Sequence, residues 1–186
     1  MDDNSRFGGR MEFRSMNDSI KRKKIGEGVF FTAITDPKFK SNRISVNLLL
    51  PLEEETAANR AIVPFVLRLR YRDCPDFTRL NEKLCDLYGA IVDGDVRKYG
   101  AYQIMNLSVQ FLDDRYSIAG EPLVQACADL ACGMLFDPYL ESGLFSEEDV
   151  RLERQNLIDT IASEFNDKRE YAINKCISLM FDGSPL

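Results

Sequence analysis

Apolar residues recur along this chain with two periods, and the switches between the periods mark its elements. Gly28-Val-Phe-Phe-Thr-Ala-Ile-Thr35 is rich in β-branched and aromatic residues and predicts a strand. Arg43-Ile-Ser-Val-Asn-Leu-Leu-Leu50 alternates at Ile44, Val46 and Leu48, then turns wholly apolar, as a strand buried at its end does. Asp36-Pro37 supplies a turn between the two, so they are expected to pair antiparallel, and Pro51 closes the second. From Ala57 to Tyr71 the period lengthens. Ala61, Phe65 and Leu69, with Ile62 and Val66, fall at helical spacing. Thr56 is placed to cap this helix, and Glu53, Glu54 and Glu55 suit its positive end. Pro64 lies inside the pattern; without an N–H it must kink the helix or delay its start.

A second amphipathic helix follows, with Phe77, Leu80, Leu84 and Leu87 on one stripe and Gly89 as its left-handed stop. Residues 90–96 and 101–111 read as a hairpin. A helix is expected over 117–136 through Ile118, Leu123, Cys127, Leu130 and Met134, ended by Asp137-Pro138. Another runs over 145–161 with Ser146 as cap and Asp149 three residues on, and a last one spans 170–181 after the polar joint Asn166-Asp167. Strand pairs alternating with helix groups predict an α+β fold, one mostly antiparallel (mixed) sheet with helices packed on one face.

Composition narrows the function. With 45% apolar and 29% charged residues in a chain of 186, this is a globular domain with a real core. A net charge of −6 argues against nucleic acid as a partner. No apolar run reaches the ~18 residues of a membrane span, and Met1 to Arg10 has no apolar signal core. The expectation is a cytoplasmic protein with residues 1–24 as a flexible lead-in and 25–186 as the domain. The basic run Lys21-Arg-Lys-Lys24 reads as a solvated charge cluster. Cys74, Cys85, Cys127, Cys132 and Cys176 are an odd number without a C-x-x-C pair, which fits small buried side chains in a reducing compartment.

The count with most consequence is zero histidines. It removes the commonest general base and the commonest zinc ligand together. Chemistry without histidine would fall to carboxylate groups such as Asp113-Asp114 or Glu147-Glu148-Asp149, or to a cysteine nucleophile. Adjacent acids on a loop or helix start are more often simply solvated, and a thiol needs an activating neighbour.

One ordered set of motifs resembles the N-terminal half of the insulinase/pitrilysin (M16) family of zinc metallopeptidases. The set comprises Ala61-Ile-Val-Pro-Phe-Val-Leu-Arg68 after an early hairpin, Leu87-Tyr-Gly-Ala90, Leu135-Phe-Asp-Pro138, and Phe145 followed by Glu153-Arg-Gln-Asn-Leu-Ile-Asp-Thr-Ile161. Asn166-Asp167 and Tyr171-Ala172 also fit, so the resemblance covers roughly residues 28–186. It implies an M16-like (LuxS/MPP-like) half-domain, truncated relative to a full-length protein about twice this size.

In active members two histidines and a later glutamate bind zinc, and a glutamate between the histidines activates water. Carried over, the ligand positions are Pro64, Arg68 and Thr160, and the general-base position is Leu67. Proline and leucine give a metal nothing, and arginine is a permanent cation. The resemblance therefore implies a degenerate site, with no metal, no cofactor and no catalytic residue. Arg68 would then snorkel from a helix end, pair with Glu53, Glu54, Glu55 or Asp73, or fill the vacated pocket with its charge.

The Leu87-Tyr-Gly-Ala90 turn and the Leu140-Glu-Ser-Gly-Leu-Phe145 insertion resemble a bacterial branch of inactive members that pair with an active paralogue. One such pair is associated with aminopentanol modification of elongation factor P. The implied partners are an active paralogue in a hetero-oligomer, or a second copy, together with extended peptides. The other readings are a purely structural half-domain and an enzyme of different chemistry.

Overall fold

A computed structural model describes residues 20–181, the side chain of Glu164 excepted. The chain divides into two compact units at Lys40 and Ser41. The first holds a single hairpin. Strand β1 (Ile20–Gly26) pairs antiparallel with β2 (Val29–Ile34), with Lys23 opposite Phe31 and a register shift between Lys24 and Gly26. Gly28 takes φ 69° in the two-residue turn, a conformation open to glycine at little cost. Two expectations are corrected here. Residues 20–24 belong to a strand, not to a lead-in. The partner of β2 is β1, not the strand over 43–50. The tight Glu27-Gly28 turn decides the pairing, because it closes a ladder locally. Lys and Arg side chains tolerate an exposed strand, and the Arg22 guanidinium lies 4.5 Å from the Phe30 ring centre. Residues 1–19 of the expected lead-in lie outside the described residues.

The second unit is built on a three-stranded antiparallel sheet in the order β3 (Ser41–Pro51), β5 (Tyr102–Leu112), β4 (Ile91–Tyr99). The β4–β5 hairpin turns at Gly100-Ala101, with Tyr99 opposite Tyr102 and φ 56° at Gly100. Central β5 sends Leu107, Val109 and Phe111 to one face, and these enter the core. The register places Ser45 and Asp93 opposite Ser108, and Asn47 and Asp95 opposite Asn106, so the other face is polar. There Asn106 donates to Asn47 Oδ1 at 2.9 Å and Arg43 to Ser108 Oγ at 2.9 Å.

The helix expected over 57–71 is two helices. α1 (Glu54–Ala61) begins after Glu53, which takes the cap place expected of Thr56; the Thr56 hydroxyl instead donates to the Glu53 carboxylate. α2 (Val63–Leu67) restarts at Ile62, whose carbonyl accepts from Phe65 and Val66. Pro64 thus falls in a first turn, where its missing N–H costs nothing. Residues 68–71 leave the helix because Tyr71 pairs its backbone with Cys74 in a small bridge.

α3 (Phe77–Asp86) is capped by Asp76, which accepts from the Arg79 N–H at 2.8 Å; it ends at Leu87, and Tyr88 (φ 59°) as well as the expected Gly89 (φ 73°) turn left-handed after it. α4 (Leu123–Phe136) starts six residues later than expected. Gly120 at φ 77° and Pro122 hold residues 117–122 out of the helix, and Ile118 is exposed instead of buried. α5 (Glu147–Ser163) leads through a 3-10 turn to α6 (Lys168–Met180), capped by Asp167. The core gathers Leu80 and Leu87, the β5 face, and Leu123, Cys127, Leu130 and Met134 of α4 around Tyr71. A Cβ on Gly133 would stand 2.8 Å from the Tyr71 ring, so this helical glycine makes room for the aromatic. Phe77, expected in the apolar stripe, is exposed. Among the described residues, no helix is long and apolar enough to cross a membrane.

Candidate functional site

The residues singled out by the resemblance sit where α2 meets β4 and α5. α2 is pressed onto the sheet very closely. A Cβ on Gly94 of β4 would lie 2.5 Å from the Pro64 carbonyl oxygen, so only glycine fits beneath that turn. Pro64 is fully buried and Leu67 nearly so. Both line a residual cavity of about 10 Å³ with Val46, Leu48, Met105 and Leu135. The floor of the site is therefore apolar packing, with room for about one water at most.

Arg68 follows Leu67 as the helix cap residue, its N–H donating to the Pro64 carbonyl at 3.3 Å. Its side chain does not pair with Glu53, Glu54, Glu55 or Asp73. The guanidinium lies 3.5 Å from Asp93 of β4 through Nη1 and 3.5 Å from Glu153 of α5 through Nη2. It also stands 5.3 Å from the Phe65 ring centre. Glu153 is 3% exposed and is the one residue of α5 that is buried. Its other oxygen accepts from Asn156 Nδ2 at 3.4 Å. Thr160, seven residues further along the same helix, is exposed and spends its hydroxyl on the Asn156 carbonyl at 2.8 Å. The carboxylate facing Arg68 is thus Glu153, not the group at position 160.

A metal ion needs lone pairs converging on one point. Pro64 and Leu67 offer none from their side chains, Arg68 brings a positive charge, and Thr160 is already engaged. The four residues do not fit zinc. Among the described residues, no group of three or more His, Cys, Asp or Glu could hold a metal ion.

Part of the other candidate chemistry is tied down in local structure. Asp113 is held below the usual carboxylate range by the side-chain hydrogen bond from Arg115, and it also accepts from Asn42. Asp114 accepts from the Val124 N–H at 2.8 Å, holding the first turn of α4. Asp149 pairs with Arg70 at 2.5 Å, and Arg70 stacks over the Tyr139 ring. Burial pushes the Cys127 thiol up to about 11, which keeps it protonated and a poor nucleophile at neutral pH. Cys74 is likewise buried, but Cys85, Cys132 and Cys176 are exposed, against the expectation of buried side chains.

Sequence reasoning missed Glu153 and the Asp93-Gly94 pair as partners of α2. A glycine inside a strand is the usual mark of close backbone approach, so Gly94 was the available signal. Nothing in the amphipathic pattern of α5 marks an acid as its buried residue.

No protein-family model matches the chain. It is 27% identical over 148 residues to a Bacillus subtilis (strain 168) protein named probable inactive metalloprotease YmfF. That match covers 80% of this chain and 35% of the relative. The fold is similar to the crystal structure of a conserved protein from Enterococcus faecalis V583, with a TM-score of 0.79 and 26% identity. This second match covers 89% of this chain and 39% of that one. The chain spans little more than a third of each relative's length.

Proposed function

We propose that this chain is the N-terminal half-domain of an inactive, insulinase/pitrilysin-like protein, and that it works as a non-catalytic subunit. The observation that carries the reading is the replacement of the site: Pro64, Leu67 and Arg68 stand on α2 where the resemblance puts ligand, base and ligand. A charged side chain paired with a buried acid then takes the place of a metal. The likeness to a protein named as an inactive metalloprotease supports the same reading. The role that remains is binding, through pairing with an active paralogue in the cytoplasm, as in the pairs associated with elongation factor P modification. An extended peptide would add to the free edge of β3, which among the described residues pairs only with β5 and exposes Leu48 and Leu49 beside it.

The test uses the purified protein with Zn²⁺ and unstructured peptides. We expect no chelator-sensitive cleavage, and no rise in unfolding midpoint with Zn²⁺. Turnover that a chelator abolishes would overturn the reading. Co-expression with a paralogue that keeps H-x-x-E-H should give a stable complex by size exclusion; two non-interacting proteins would remove the pairing.

A further inference from the structure

Two ion pairs run side by side along α5. Glu153 faces Arg68, and Asp149, four residues earlier and on the same helix face, faces Arg70. The second pair is partly open to solvent at both ends. The first is open only at its arginine end: the Arg68 side chain is 31% exposed and that of Glu153 4%. Asn156 donates one long hydrogen bond to Glu153, and the buried residues of α2, Pro64, Val66 and Leu67, carry no charge. Burying a carboxylate in such a place is costly unless a cation stands beside it. The guanidinium suits the task because it never loses its proton and its fork reaches two acids at once. Here it spans buried Glu153 and Asp93 on edge strand β4, so one side chain links three elements.

We propose that the junction of α2, β4 and α5 is a cation-holding site and that Arg68 is its permanent occupant. The charge on Arg68 is what allows Glu153 to be buried and what seats α5 against α2. When the arginine side chain is removed, the site takes a small planar cation of the same chemistry, a methylguanidinium ion. The inference rests on the ion-pair geometry and not on the chain's having a partner or lacking activity.

The experiment is thermal unfolding of the full chain in a titration of methylguanidinium chloride at millimolar concentrations, with sodium chloride at matched ionic strength as control. Arg68→Ala should lower the midpoint by roughly 10 °C, as an uncompensated buried charge does in a domain of this size. Methylguanidinium should restore part of that loss with saturation. It should do nothing for the wild-type protein or for Arg68→Ala/Glu153→Gln. An Arg68→Ala midpoint within about 2 °C of wild type, or a recovery equal in sodium chloride or in the double variant, overturns the proposal. Where Arg68→Ala does not fold, Arg68→Met and Arg68→Met/Glu153→Met decide. The double variant should be the more stable of the two, since it leaves no buried charge; a double variant no better than the single one overturns the proposal.

Discussion

α4 packs on the sheet and α5 packs against α2, and these two long helices are held by opposite means. α4 buries Leu123, Cys127, Leu130, Ala131 and Met134 and is apolar nearly all round. α5 buries one residue, an acid, and is held near its N-terminal half by arginines at 68 and 70. Its later apolar residues Ile158 and Ile161 face outward. Burial of apolar area is forgiving of small shifts, because the driving force is non-directional. An ion pair in the interior is not, because losing one partner leaves the other unsolvated. α4 thus builds the core, and α5 is fastened at defined points.

Among changes to apolar packing, the largest effect should come from the α4 side. Leu130 is fully buried, so Leu130→Ala should cost about 3 kcal/mol, within the ~2–5 kcal/mol seen for such truncations. Urea unfolding would measure it, and a loss under about 1 kcal/mol would show that α4 is not the core.

Next comes a pH effect. The Cys127 thiol is raised from 9.0 to about 11 by burial. In the unfolded chain it deprotonates first, so the unfolded state gains and stability falls as pH rises from about 9 to about 11. The contribution is whole below that window and lost above it, on the order of 2 kcal/mol. Cys127→Ala should flatten this part of the stability curve relative to wild type, and parallel curves for the two proteins would remove the assignment. Where α2 meets β4, Gly94→Ala should cost about 1–3 kcal/mol, because its Cβ would meet the Pro64 backbone, which cannot swing aside as a side chain can. Unchanged stability would mean that α2 lifts off β4 freely.

The same contrast explains what could be read in advance. α3, α4 and the 91–112 hairpin were legible because their buried residues follow the period of their element; Leu80, Cys127, Leu130 and Met134 lie where periodicity puts them. The α+β class followed from the alternation. The pairing of β2 was misread because Ile20-Lys-Arg-Lys-Lys-Ile25 looks like solvated charge, and only the Glu27-Gly28 turn reveals a strand. The start of α4 was set by Gly120 and Pro122 against an apolar pattern that began earlier. The candidate site was legible in part. The identities at 64, 67 and 68 show what chemistry is missing from them. That Arg68 faces Glu153 across 85 positions of sequence is a tertiary fact, and no local period encodes it.

The smallest effect is expected near the C-terminal end of α5. Ile161 lies two turns beyond Glu153 on α5 and is 69% exposed. α5 continues into the 3-10 turn and α6, where Phe165 and Tyr171 stack with ring centres 4.4 Å apart, and none of the residues of α6 is buried. If α5 is fastened only through Asp149 and Glu153, an acid at position 161 removes no packing and desolvates no charge. Isoleucine and aspartate also differ little in helix propensity. Ile161→Asp should therefore change stability by less than about 0.5 kcal/mol, against about 3 kcal/mol for Leu130→Ala. Urea unfolding of both variants in the same buffer makes the comparison direct. A loss at Ile161 approaching that at Leu130 would mean that this face of α5 is covered in solution and that apolar burial, not its two ion pairs, holds the helix.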